Sequence, residues 1–236
     1  MTTARSLKWL PAMLGFGALL TCVASAAPPR SVLELFTSQG CSSCPPADAL
    51  AGRLSTDPGL LVLSFHVDYW DDLGWKDSFS SQQSTDRQYQ YARALRQQTV
   101  FTPQLIVNGR RSLVGSQENE VRKAIVTLGA TSLPVRADLL ERDDGGFNLS
   151  LAGPAVVADV WEVRYVRHAV TRIGAGENGG RNLETFNNVT QLRRIGPFQP
   201  GTIRLAPLRQ PEDGLAVLVQ KPSAGEIVGA AVWPIS

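Results

Sequence analysis

Residues 31–50 read SVLELFTSQGCSSCPPADAL, and this stretch decides the fold of the first half of the chain. Ser31 to Phe36 is a short, mostly apolar run of the kind that forms a buried strand, and the small polar residues after it predict a turn. Two prolines directly follow the C-S-S-C motif, where the first turn of a helix tolerates proline because its missing N–H has no partner there. The stretch therefore predicts a strand, a turn, the C-S-S-C motif and a helix.

The two cysteines of this motif, Cys41 and Cys44, stand where the predicted helix begins. Unpaired N–H groups and the helix dipole favour an anion there, so the thiolate of Cys41 should form more readily than that of a free cysteine. A disulfide that closes so short a loop stabilises a fold by only about 2 kcal/mol, against nearly 5 for a loop of about 100 residues. The pattern therefore favours redox chemistry over an inert disulfide. In that chemistry Cys41 is the exposed nucleophile and Cys44 resolves the mixed disulfide.

The elements that follow complete a mixed pattern of strands and helices. Asn108-Gly109 is a strong signal for a hairpin turn. In chain order the predicted elements are a strand at 60–65, a helix at about 79–97, hairpin strands at 104–107 and 112–114, and a helix with an apolar face from Val121 to Leu128. The order βαβαββα predicts an α/β fold for residues 27–130.

Three motifs carry a resemblance to a known family. They are FTSQGCSSCPPAD at 36–48, FHVDYWD at 65–71 and TPQLIVNG at 102–109. They resemble the secreted thioredoxin-like family known as domain of unknown function 1223, over much of residues 31–130. The resemblance implies a thioredoxin-like domain with a dithiol, in which Pro103 is a cis proline that lies against the cysteines. The family has no established substrate.

Glu34 is an ionisable residue in an otherwise apolar strand, and burying such a group is costly unless it has a use or a partner. Thioredoxins and periplasmic disulfide oxidases keep an acidic residue beneath the dithiol to move its proton. The resemblance implies this catalytic role for Glu34, although it stands seven positions before Cys41 where six are usual. The alternative is a glutamate at the sheet edge with a solvated carboxylate.

Four further residues are predicted to bind substrate beside the dithiol. Ser42 and Ser43 offer hydroxyl donors, Thr102 precedes the proline whose backbone would meet the substrate, and Trp70 belongs to an aromatic and acidic stretch that suits a peptide groove. The expected partners are protein or small-molecule thiols and disulfides, together with a redox partner that the sequence does not identify. No cofactor is expected.

Two other functions stay open at this point. In the first, Cys41, Cys44 and His66 hold a metal, because two thiolates and an imidazole suit Cu(I), and Asp68 orients the imidazole. The chain would then be a copper-binding or metal-delivery protein. In the second, the chain is a non-catalytic binding module and the cysteines form a structural disulfide.

Residues 1–26 predict a secretory signal peptide. Arg5 and Lys8 precede an apolar run at 9–20, and Ala24-Ser25-Ala26 is a small-residue cleavage site. We therefore expect a periplasmic or secreted protein without stable membrane insertion after cleavage, in a compartment that permits disulfides. An uncleaved anchor is the alternative, because residues 9–27 carry no charge.

The charge balance of the chain excludes one class of partner, nucleic acid. The chain has 23 Lys and Arg against 21 Asp and Glu, which gives no basic surface for nucleic acid.

Residues 131–236 consist of short apolar or alternating runs, which predict a small, mainly β domain. Its glycine-rich loop at 174–181 is interpreted as a long connection or a rim that contacts the first domain, in preference to a phosphate-binding loop.

Overall fold

The computed structural model describes residues 28–130, 133–210 and 213–233. The predicted signal peptide, residues 1–26, lies outside the described residues. Across the described ranges, no helix is both long enough and apolar enough to span a membrane.

The first half of the chain has the predicted order βαβαββα. Its elements are β1 (Ser31–Thr37), α1 (Pro45–Leu54), β2 (Leu60–His66), α2 (Gln82–Ala94), β3 (Gln104–Val107), β4 (Arg111–Val114) and α3 (Glu118–Gly129). Helix α2 is shorter than predicted at both ends. It begins after Ser81, whose hydroxyl accepts from the Ser84 N–H at 3.2 Å. It ends before Arg96, which has the left-handed φ of 55°.

The described part of the second half consists of strands. They are β5 (Arg136–Glu141), β6 (Phe147–Ala152), β7 (Asp159–Arg172), β8 (Asn182–Pro197), β9 (Gly201–Leu205), β10 (Asp213–Gln220) and β11 (Ile227–Val232). Strands β7 and β8 form a long antiparallel hairpin, and residues 173–181 connect them at its tip. We call residues 173–181 the hairpin tip.

Most strands join one large sheet that runs through both halves of the chain. Its eight strands have the order β11-β10-β7-β8-β2-β1-β3-β4, and β8 meets β2 in a parallel pair at Ser64 and Asn188. Strands β5, β6 and β9 form a separate three-stranded sheet. The mixed α/β class is therefore confirmed. The division of the chain at residue 130 stays a prediction, and the large sheet continues across that point.

The alternation of side chains along β1 sends its residues to opposite faces of the sheet. Leu33 and Leu35 pack with α1 and α3, whereas Val32 and Phe36 share a core cluster with Tyr91 of α2. The helix that carries the C-S-S-C motif thus covers one face, and α2 covers the other. A third core cluster lies between the three-stranded sheet and strands β10 and β11.

Candidate functional site

The site is built around a disulfide between Cys41 and Cys44 at the beginning of α1. Cys44 is the N-cap residue, and its carbonyl oxygen accepts from the N–H groups of Ala47 and Asp48. Both cysteines are 0% exposed. The expectation that Cys41 is an exposed nucleophile is therefore wrong for this state of the protein.

The hairpin tip lies against residues 38–44, which we call the C-S-S-C loop. The Asn178 side-chain amide donates to the carbonyl oxygens of Gln39 and Cys41, each at 2.9 Å. Asn178 is itself fully buried. Beside it, the Ser42 N–H donates to Glu177 Oε2 at 3.0 Å. The glycine-rich loop is thus a rim that contacts the first half.

A tryptophan from the loop after β2 holds the hairpin tip in place. The Trp75 indole donates to Gln39 Oε1 at 3.0 Å, and Gln39 Nε2 donates to Thr171 Oγ1 at 3.2 Å. The Trp75 ring lies close to Gly174, where an added Cβ would meet a ring carbon at 3.1 Å. Gly176 has a φ of +73° and also approaches Trp75, so the tip needs glycine at this contact.

Two of the predicted site residues lie beside the Cys41 sulfur, and two more are joined to one of these, Thr102, by a hydrogen bond or a peptide bond. The Thr102 and Ser43 hydroxyl oxygens are each 3.4 Å from Cys41 Sγ. The Trp70 indole donates to Thr102 Oγ1 at 2.9 Å, which leaves the Thr102 hydrogen free to point at the sulfur. The Thr102–Pro103 peptide bond is cis. Their roles in binding substrate stay predictions.

Ser42, unlike Ser43 and Thr102, contacts the hairpin tip through its backbone. It is exposed, and its N–H donates to Glu177 of the hairpin tip. Its backbone therefore connects the C-S-S-C loop to the tip. Its predicted contact with substrate stays untested.

Glu34 is buried and does not lie beneath the dithiol. Its Oε1 is 2.6 Å from Arg87 Nε of α2, and the Tyr91 hydroxyl donates to its Oε2. Arg87 also donates to Gln220 of β10 at 3.1 Å. Both earlier interpretations of Glu34 are corrected, because it is neither under the cysteines nor solvated at an edge. Its side chain faces α2, together with that of Val32, on the side of the sheet opposite α1.

Asp48 is the buried carboxyl group on the helix that carries the dithiol, and sequence reasoning missed it. Thr37 Oγ1 donates to Asp48 Oδ1 at 2.8 Å. Burial raises the pKa of Asp48 to about 6, against the smaller lowering effects of His66 and Thr37. Asp48 stands one turn after Cys44 in α1, a spacing that puts both side chains on one helix face. This i, i+4 spacing is the signal that could have identified it.

His66 is fully buried and contacts side chains of two other segments, an arrangement that does not favour the metal-binding alternative. Its Nδ1 is 2.6 Å from Asp77 Oδ2 and its Nε2 is 2.9 Å from Asn188 Oδ1. Burial opposes protonation, but the charge and hydrogen bond of Asp77 outweigh it and raise the pKa of His66. Neither ring nitrogen is free for a metal. In the ranges described, no group of three His, Cys, Asp or Glu side chains is placed to hold an ion.

Asp77 extends this cluster to the C-S-S-C loop, since its Oδ2 also accepts from the Gln39 N–H at 2.8 Å. Burial would raise the pKa of Asp77, but His66 and two backbone N–H groups lower it. Asp68, the residue expected to orient His66, instead accepts from Thr85 Oγ1 at 2.6 Å. The acid that orients His66 is therefore Asp77, which lies further along the same loop.

Comparisons with known proteins give a family and a shared fold. The family described as "Protein of unknown function (DUF1223)" matches residues 32–220. A crystal structure of an Agrobacterium tumefaciens protein, a structural genomics target, is similar at 29% identity and a TM-score of 0.73, over 87% of this chain and 94% of that one. HBP35 of Porphyromonas gingivalis is similar in fold alone, at 14% identity and a TM-score of 0.58 over 89% and 76% of the two chains. No curated protein matches the sequence significantly.

Proposed function

Since the chain belongs to the DUF1223 family, whose function is unknown, we propose its function from its site: it is a thiol–disulfide oxidoreductase that works through Cys41 and Cys44. The observation that carries the proposal is the surroundings of the Cys41 sulfur. Two hydroxyl groups, those of Thr102 and Ser43, lie 3.4 Å from it at a helix N-terminus. Hydroxyl donors and a helix N-terminus both stabilise a thiolate, which is the reactive form of cysteine. The proposal includes a thioredoxin-like interpretation of residues 27–130.

The exchange proceeds in two steps. A substrate thiolate attacks Cys41 Sγ and forms a mixed disulfide, and the electron pair of the broken bond leaves on Cys44 Sγ. A second substrate thiolate then attacks the substrate sulfur of the mixed disulfide and releases the Cys41 thiolate. The substrate thiols are thereby oxidised to a disulfide, while the protein gains two electrons. In the reverse direction the protein reduces a substrate disulfide, and the two reduction potentials set the direction.

Asp48 suits the proton transfer that accompanies this chemistry. Cys44 must gain a proton when it leaves as a thiol and lose one when it attacks again. Asp48 is buried one turn after Cys44, and its pKa of about 6 lets it hold or release a proton near neutral pH. We therefore propose Asp48, in place of Glu34, as the acid–base group of the dithiol.

We infer that a substrate reaches Cys41 through movement of the hairpin tip, because Cys41 is 0% exposed and the tip contacts its carbonyl oxygen and its neighbour Ser42. Three hydrogen bonds join the tip to residues 39–42, two from Asn178 and one to Glu177. Each such bond contributes about 1 kcal/mol net, so a local opening costs only a few kcal/mol. Opening of this size fits a site that is closed at rest and opens to admit a substrate.

A structural disulfide is the second candidate, and one observation favours it. Both cysteines are fully buried, whereas the reactive cysteine of a working oxidoreductase is partly exposed. A disulfide of that kind would resist reduction until the protein unfolds. The two candidates therefore differ in a measurable way, the reactivity of the disulfide in the folded protein.

Replacing each cysteine in turn tests the proposal. In Cys41→Ser we expect no exchange with small disulfides, because the attacking sulfur is absent. In Cys44→Ser we expect a stable mixed disulfide on Cys41, because the resolving thiol is absent. Mass spectrometry of acid-quenched, alkylated protein identifies both products, and circular dichroism verifies the fold of each variant. Exchange that persists in Cys41→Ser overturns the proposal.

We also propose that the protein works in the periplasm or outside the cell. The signal pattern in residues 1–26 and the cysteine pair support this location. Its partners would be thiols and disulfides of that compartment. N-terminal sequencing of the protein from fractionated cells tests the location, with a mature N-terminus at Ala27 as the expected result. An intact N-terminus on cytoplasmic protein would contradict it.

A further inference from the structure

We propose that Glu177 at the hairpin tip selects the substrates of the dithiol by charge, so that uncharged and cationic thiols react faster than anionic ones. This inference rests on the proposed function and adds a substrate class to it. It concerns a residue that lies 136 positions after Cys41 in the sequence and belongs to none of the three motifs.

The position of the Glu177 carboxylate carries the argument. Its Oε2 is 3.0 Å from the backbone nitrogen of Ser42, the residue next to Cys41. The Glu177 side chain is exposed to solvent, and the Ser42 hydroxyl and N–H lower the pKa of its carboxyl group. A full negative charge thus lies on the solvent side of the C-S-S-C loop at neutral pH.

Asn178 fixes this charge in place and is a positioning residue. Its amide donates to two backbone carbonyls of the C-S-S-C loop, and it is fully buried. The neighbouring residue, Glu177, therefore has a defined position relative to Cys41. A glutamate on a free loop would spread its charge over a wide region, whereas this one is held at the Ser42 N–H, so a thiolate that approaches Cys41 as the tip begins to open meets the charge at the entrance.

Two other charged side chains near the loop, Arg181 and Asp77, do not cancel this charge. Arg181 donates to Asn178 Oδ1 at 2.9 Å, on the far side of the amide from Cys41. Asp77 lies below the loop and is paired with His66. Arg181 reduces the field of Glu177 in part, but Glu177 contacts the residue adjacent to the attacked sulfur. We therefore expect a moderate selection of about threefold to tenfold.

The charge of the attacking thiol determines how Glu177 affects the rate of attack on Cys41. The group that approaches Cys41 Sγ is a thiolate, so every attacking thiol carries one negative charge near its sulfur. A second negative charge on the same small molecule adds repulsion from Glu177, and a positive charge offsets it. Salt screens such interactions over about 10 Å at 0.1 M, so the selection should fade as ionic strength rises.

Three small thiols of similar size provide the test: 2-mercaptoethanol is uncharged, cysteamine is cationic and 2-mercaptoethanesulfonate is anionic. The rate of mixed-disulfide formation on the oxidised protein is measured for each by acid quenching and mass spectrometry, per unit of thiolate. The quantity compared is the ratio of the cysteamine rate to the mercaptoethanesulfonate rate. Differences in intrinsic nucleophilicity cancel when wild type and variant are compared with the same thiols.

In Glu177→Gln we expect this ratio to fall by about threefold to tenfold at low salt, and by less at high salt. Glu141→Gln is the matched control, because Glu141 is exposed on the three-stranded sheet and the substitution changes net charge equally. Its ratio should equal that of the wild type. An equal acceleration of all three thiols in Glu177→Gln would show that Glu177 only holds the hairpin tip closed, and it would overturn the charge selection. If no thiol reacts with any folded variant, the proposed function itself fails, and this inference with it.

Discussion

The side-chain amide of Asn178 donates to the carbonyl oxygen of Cys41 across 2.9 Å, although 137 positions separate the two residues in the sequence. The C-S-S-C loop is therefore hydrogen-bonded to the hairpin tip, which connects β7 and β8 in the other half of the chain. It follows that the β-rich half takes part in the site. In the proposed function, its hairpin tip controls whether a substrate meets the cysteines.

The first prediction concerns the closure of the site by Asn178. Asn178→Ala removes two hydrogen bonds between the tip and the loop, so the open state becomes more populated. We expect reduction of the disulfide by dithiothreitol to accelerate about tenfold, from a loss of roughly 1 to 2 kcal/mol. The rate of reduction is measured by acid quenching at set times, alkylation of the free thiols and mass spectrometry. Asn119→Ala, an exposed change on α3, is the control and should keep the wild-type rate. Equal rates in all three proteins would contradict a closing role for the tip.

The second prediction separates Glu34 from the redox chemistry. Glu34→Gln leaves the charge of Arg87 buried without its carboxylate, so we expect a loss of about 3 to 5 kcal/mol in the free energy of unfolding. The midpoint potential should change by less than about 30 mV, because the residue faces α2. Urea unfolding and glutathione titration measure the two effects. A large shift in potential with little loss of stability would restore Glu34 to the dithiol.

The third prediction is a pH dependence of stability due to Asp48. Its pKa in the folded protein is about 6, above its ordinary value of 3.8, so the folded state binds more protons than the unfolded state between these two pH values. The contribution of Asp48 to stability is therefore present at low pH and is lost as pH rises from about 4 through 6. Two units of pKa correspond to about 3 kcal/mol at most.

Asp48→Asn removes this titration and keeps an oxygen for Thr37. We expect the variant to gain up to about 3 kcal/mol relative to the wild type between pH 4 and pH 7. Urea unfolding of both oxidised proteins across this range gives the difference. A constant difference at all pH values would show that Asp48 does not titrate in this way.

The fourth prediction concerns the hydroxyl group of Thr102. Thr102→Val keeps the shape of the side chain but removes the donor that lies 3.4 Å from Cys41 Sγ. The reduced protein should lose stabilisation of its thiolate, so its reduction potential becomes more negative by about 20 mV, equivalent to roughly 1 kcal/mol. Thr102→Ser retains the hydroxyl and should keep the wild-type potential. A potential that rises in Thr102→Val would rule out this role.

The sequence allowed the first half to be predicted, because its signals are local. Strand runs, the two prolines after the cysteines and the Asn108-Gly109 turn depend on neighbouring residues alone. Glu34 was assigned to the wrong face because a seven-residue separation from Cys41 differs from six by one position. In a strand, one position moves a side chain to the opposite face of the sheet.

The hairpin tip could not be predicted from its own sequence. Its glycines indicate a loop, but the contacts of Asn178 and Glu177 with the C-S-S-C loop depend on how β8 joins β2. That junction is a parallel pair at Ser64 and Asn188, far apart in the sequence. These contacts between the tip and the C-S-S-C loop are long-range, and so no local pattern reveals them.

The reduction potential of the Cys41–Cys44 pair in the mature, folded protein tests the central claim most directly. It is measured by titration against glutathione redox buffers, with alkylation of free thiols and mass spectrometry. The account predicts a reversible two-electron couple between about −120 and −270 mV, the range of working oxidoreductases. A disulfide that stays closed below about −300 mV would contradict it and identify the pair as structural.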